Sequence, residues 1–118
     1  MFRLQMDVDG TPVIMTLDDS EASQDFVSLI PLEITLEDYA ATEKVSDLPR
    51  KLSISGAPAG MTPVTGDVTY YAPWGNLAIF YTNFGYAKGL VKLGTIDSGM
   101  EALRCAASLK TTIRFIDD

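Results

Sequence analysis

With 118 residues, 47% of them hydrophobic and 21% charged, the chain has the size and composition of one globular domain, spanning residues 1–118 and able to bury a core unaided. A net charge of −7 with no histidine provides no basic stripe for phosphates, which argues against nucleic acid and anionic membranes as partners. The single cysteine, Cys105, precludes an intramolecular disulfide, and without Cys/His pairs no conventional zinc site is available, so neither metal nor other cofactor is expected.

Met1 to Gly10 has no apolar signal core, and the longest apolar run is far short of a membrane span. A cytoplasmic location is the simplest expectation, with a monomer or small homo-oligomer as the assembly.

FRLQMDV and TPVIMTL flank Asp9-Gly10, a pair suited to a type I′ turn. That turn places Val8 opposite Thr11, Met6 opposite Val13, Leu4 opposite Met15 and Phe2 opposite Leu17. Their side chains share one largely apolar face, while Arg3, Gln5 and Asp7 alternate onto the other. A half-buried hairpin follows.

Over residues 20 to 30 the period changes, because Ala22, Phe26, Leu29 and Ile30 make a helical stripe. Ser20 suits the N-cap, and Pro31 stops the helix. LEITLED then returns to period two, with Leu32, Ile34 and Leu36 inward. From Tyr39 to Gly66 the pattern fades into a long ordered loop, with short strands expected around KLSIS; Glu43 and Lys44 are read as part of that loop.

DVTYYA and NLAIFY read as strands, and the continuous apolar run LAIFY implies cover on both faces. Seven of the eleven aromatic residues lie between Tyr70 and Tyr86, so this region is the candidate binding wall. Ser98-Gly-Met-Glu101 has the form of a capping box and predicts a second helix of about ten residues, with Met100, Leu103 and Ala107 inside and Cys105 as a buried thiol. KTTIRFID closes the chain as a strand with Ile113 and Phe115 on one face, and only the last two aspartates read as disordered. Many short strands, hairpin connections and two helices predict a mainly β protein: an antiparallel barrel with its ends covered by the helices.

The order TLEDYAATEK, DLPRKL, GAPAGMTPVTGD and YYAPWGNLAIFY resembles the small bacterial cyclophilin-like domains, many of them without assigned function. The most specific pieces are Glu37-Asp38-Tyr39, Glu43-Lys44, Leu48-Pro49, Pro58-x-Gly60, Gly66-Asp67 and Pro73-Trp74-Gly75-Asn76, and the likeness covers essentially the whole chain. It implies a closed antiparallel barrel of about eight strands with two capping helices. It also raises prolyl isomerisation, in which cyclophilins use an arginine beside a proline pocket.

Here the isomerase's Phe-His-Arg segment and its Gln-Gly-Gly run are absent, and the pocket histidine has no counterpart. Arg50 is the one arginine proposed for the role. A surface pairing of Arg50 with an aspartate such as Asp47 is the structural alternative. Trp74 is either a stacking platform or a plug folded into the barrel end. Glu37 and Asp38 lack further ligands for a metal.

The expected function is a binding module for a small molecule or a short, proline-containing peptide. Tyr39, Glu43, Lys44, Arg50, Tyr71, Trp74, Asn76 and Tyr81 are its candidate contacts. The alternative is a weak peptidyl-prolyl isomerase using Arg50.

Overall fold

The structure is a computed structural model describing residues 1–116; the expectations for Asp117 and Asp118 lie outside the described residues. Strands β1 (Phe2–Val8) and β2 (Thr11–Leu17) form the predicted hairpin in the predicted register, from Val8–Thr11 to Phe2–Leu17. Asp9 and Gly10 both take positive φ, 48° and 88°, as a type I′ turn demands. Leu4, Met6, Val8, Val13, Met15 and Leu17 are buried.

Helix α1 (Glu21–Val27) starts where expected, with Ser20 Oγ accepting the Ser23 amide at 3.2 Å. It is shorter than the predicted 20–30. Proline disfavours α geometry in the residue before it, and Leu29 and Ile30 close the segment with i→i+3 bonds to Phe26 and Val27. Ala22 and Phe26 are buried, and Leu29 and Ile30 pack against the core.

Strands β3 (Leu32–Tyr39) and β4 (Glu43–Asp47) follow, then the short β5 (Gly60–Met61). Strands β6 (Asp67–Tyr71), β7 (Asn76–Phe80), the two-residue β8 (Ala87–Lys88), β9 (Leu90–Ser98) and β10 (Leu109–Phe115) complete the set. The order β1-β10-β3-β4-β7-β6-β9-β2 closes on itself, so the protein is a closed eight-stranded antiparallel barrel. Closure leaves no free edge in the main sheet.

Other local expectations change. The segment KLSIS is not a strand; the strand in this region is Glu43–Asp47, which pairs with β3 and β7. The second α-helix is replaced by a 3₁₀ turn, Met100–Leu103. Ser98 is taken by the sheet opposite Ile14, and Gly99 stands at the turn's start with no side-chain cap, so the capping box does not form. Cys105 is exposed rather than buried, because no helix exists to carry it inward. On β10, Ile113 is buried while Phe115 is 45% exposed.

The strands fill the interior from alternate positions. Leu77 and Ile79 of β7 join the main core, whereas Ala78 and Phe80 join a second cluster with Leu90 on the outer wall. Met61 and Ala87, from the small β5–β8 sheet, pack on that outer cluster. All five residues of β7 are buried, as the unbroken apolar run requires.

Candidate functional site

On β4 and β7 the pairs Glu43–Phe80, Val45–Ala78 and Asp47–Asn76 lie opposite one another. Period-two alternation sends these side chains to one face and Lys44, Leu77 and Ile79 to the other. Of the outward set, Glu43, Val45, Asp47, Asn76 and Phe80 form one wall of a cavity of about 260 Å³. Tyr39 at the end of β3, Tyr71 at the end of β6, and Trp74 contribute a second wall, and Phe84, Ala87 and Leu90 a third.

Trp74 stands at the rim on the turn that joins β6 to β7. The amides of Trp74 and Gly75 both donate to the Tyr71 carbonyl, at 3.3 and 2.9 Å, which tightens the turn. The indole is 64% exposed and does not plug the barrel. It meets Tyr71 edge-on, with centroids 5.3 Å apart at 84°, and Tyr39 edge-on at 6.2 Å and 73°. These contacts hold the ring by its neighbours and leave much of its surface free. Across the cavity Phe80 and Phe84 lie 6.2 Å apart.

Polar groups in this wall are few. Asn76 is only 6% exposed; its amide nitrogen donates to the Leu77 carbonyl at 3.1 Å, and its Oδ1 is buried without a hydrogen-bond partner among the described residues. Burial alone pushes the Glu43 carboxyl up to about 7. Asp47 adds a second, exposed carboxylate. No lysine or arginine lines the cavity among the described residues.

Of the eight candidate residues, the fold brings together Tyr39, Glu43, Tyr71, Trp74 and Asn76. The other three lie elsewhere. Lys44 belongs to β4 rather than to a loop and points into the barrel, where it is fully buried. Its ammonium donates to the Ala107 carbonyl at 2.7 Å and lies 3.6 Å from the Asp38 carboxylate. Tyr81 donates its hydroxyl to the same Asp38 carboxylate, which holds that carboxyl below its usual range. Burial and this partner push the Tyr81 phenol up to about 12. Arg50 is paired with Asp25 on α1, not with Asp47, and also donates to Ser28 Oγ at 2.7 Å.

Sequence reasoning placed Phe80 and Phe84 in the aromatic wall without singling them out, and missed Val45, Asp47, Ala87 and Leu90. Strand parity was the available signal for three of them. Counting by twos from Asn76 reaches Phe80, not Tyr81, and counting by twos from Glu43 reaches Val45 and Asp47.

The cyclophilin-like family model matches residues 6–115, nearly the whole barrel. The chain belongs to the cyclophilin-like family. A hypothetical protein from Archaeoglobus fulgidus, known from a solution structure, has the same fold. It is similar at TM-score 0.73 and 16% identity, over 98% of this chain and 95% of that one. No curated protein matches the chain. Within this cyclophilin-like barrel the cavity lies on the outer wall, bordered by Ala87 of β8, and is separated from the interior by β4 and β7. No helix among the described residues is long and apolar enough to cross a membrane.

Proposed function

We propose that this cyclophilin-like barrel is a binding module that takes a small molecule or a short peptide segment into the cavity beside Trp74. The observation that carries the reading is the half-free indole standing over an open concavity, with a buried, unpartnered amide oxygen in the same wall. Large exposed aromatics gathered around one cavity are uncommon without something to cover them, and here Tyr39, Trp74 and Phe84 are all at least 46% exposed. A cavity of about 260 Å³ suits a fragment-sized guest or one or two side chains. Apolar contact supplies the affinity, and the few polar groups supply the orientation.

The isomerase alternative lacks a cationic donor at the cavity among the described residues. Lowering an amide-rotation barrier of roughly 18–20 kcal/mol requires a group that bonds the twisted amide better than the planar one. Arg50 is outside the cavity lining and committed to Asp25.

A fragment screen followed by amide chemical shifts tests the binding reading. Guests are expected to move the resonances of Tyr71, Trp74, Asn76 and Phe80, and Trp74→Ala is expected to weaken them at least about tenfold without unfolding the barrel. Fragments that map elsewhere, or bind the variant equally, overturn it.

A further inference from the structure

Resting on that reading, we infer that the guest enters with a cationic, N–H-bearing end, a guanidinium or primary ammonium, donating to Asn76 Oδ1 and paired with Glu43. Three observations converge on it. First, the Asn76 side chain lines the cavity, and its oxygen, shielded from solvent, has no donor among the described residues; such an atom is normally satisfied by protein, water or ligand, and a small turn of the side chain would present it to a guest. It calls for a donor, so a ligand presenting only acceptors leaves it unpaired.

Second, the charges on the cavity have one sign. Glu43 and Asp47 line it, the phenols of Tyr39 and Tyr71 are the remaining titratable groups, and no lysine or arginine does so among the described residues. Lys44 follows Glu43 in the chain but faces the interior and is spent on Ala107 and Asp38. Lys51, beside Gly75, and Lys88, after Ala87, are exposed and outside the lining. Nothing in the wall neutralises the two carboxylates.

Third, the exposed indole of Trp74 lies at the mouth of the same cavity, and the face of an indole attracts a cation. A flat guanidinium can stack there while its N–H groups reach the carboxylate, a geometry to which its planar fork is suited.

Trp74 is the chain's only tryptophan, so its fluorescence reports on the cavity directly. Butylguanidinium and the uncharged butylurea share chain length and a planar N–H-bearing head, and butylurea carries a carbonyl oxygen where butylguanidinium carries an NH2 group and the positive charge. Because butylguanidinium stays charged at every working pH, any pH effect belongs to the protein. At about pH 8.5 it is expected to bind about tenfold tighter than butylurea, and at about pH 5.5 that preference is expected to shrink as Glu43 takes up its proton. Glu43→Gln is expected to remove most of the preference for butylguanidinium over butylurea at both pH values.

Tighter binding of N-acetyl-arginine methylamide than of butylguanidinium supports the inference with a peptide as the source, and equal binding supports it with a free guanidine. Equal binding of butylguanidinium and butylurea overturns the cationic guest and leaves the binding module standing. No binding of either, by fluorescence or by amide shifts, overturns both.

Discussion

Arg50 grips Asp25 of α1 with both terminal guanidinium nitrogens, at 2.8 and 3.0 Å, and the same carboxylate accepts the Ser53 amide at 2.7 Å. The pairing fastens the chain after β4 to the helix and takes the one arginine proposed for isomerisation away from the aromatic wall. The barrel is therefore expected to give no prolyl isomerisation above the uncatalysed rate, and Arg50→Ala is expected to lower the thermal midpoint without changing guest binding at Trp74. A measurable rate abolished by Arg50→Ala would reverse this assignment.

The same pair sets a pH signature. The Arg50 bond holds the Asp25 carboxyl below its usual range, so the stabilisation is present above the unfolded-state value of about 3.9 and fades as pH falls through the folded value. The stability gap between wild type and Arg50→Ala is expected to be constant near neutrality and to close below about pH 4.

Barrel closure depends on a close approach between β2 and β9. A Cβ at Gly94 would overlap the Thr16 carbonyl and come within 2.7 Å of Leu17 Cα, both backbone atoms that cannot step aside. Gly94→Ala is expected to open the seam where Leu17 and Gly94 pair, and to cost at least about 2 kcal/mol in denaturant unfolding. An unchanged midpoint would show that the seam yields more easily than its contacts imply.

The parts of the fold legible in the sequence were those determined by neighbours along the chain. Asp9-Gly10 sets the hairpin register through its own φ angles, Ser20 caps its own helix, and an apolar run such as LAIFY has to be covered on both faces. The site was legible as a region but not as a surface. Trp74 is held at the rim by T-shaped contacts with Tyr71 and Tyr39, and Tyr39 lies 35 residues away in the chain. The Ser98 capping box is sound locally and fails because β2 reaches Ser98 first. Lys44 reads as a loop residue because nothing nearby in sequence announces its acceptors, the Ala107 carbonyl and the Asp38 carboxylate.

Glu43 is expected to make stability fall with pH. Its folded value of about 7 lies above the ordinary carboxyl value of 4.5, so between those limits the folded state binds more protons than the unfolded one. The contribution is fully present below about pH 4.5 and lost as pH rises through about 7. Half-burial and solvent screening reduce the loss to roughly 1–2 kcal/mol. Denaturant unfolding between these pH values should show the decline in the wild type and a flatter profile in Glu43→Gln. A parallel profile in the variant would place the titration elsewhere.

Asn76 sets stability against binding. Its Oδ1 is buried without a partner among the described residues, and an unsatisfied buried acceptor costs about 1–3 kcal/mol, whereas an apolar side chain of similar shape avoids that cost. Asn76→Leu gives up one hydrogen bond, from the amide nitrogen to the Leu77 carbonyl, and removes the orphan oxygen. The variant is expected to be more stable by about 1 kcal/mol and to bind butylguanidinium and butylurea at least about fivefold more weakly, since both donate to the missing atom. Calorimetry for stability and Trp74 fluorescence for affinity measure the two quantities separately. If stability falls while affinity holds, the Asn76 amide serves the β6–β7 turn and not a guest.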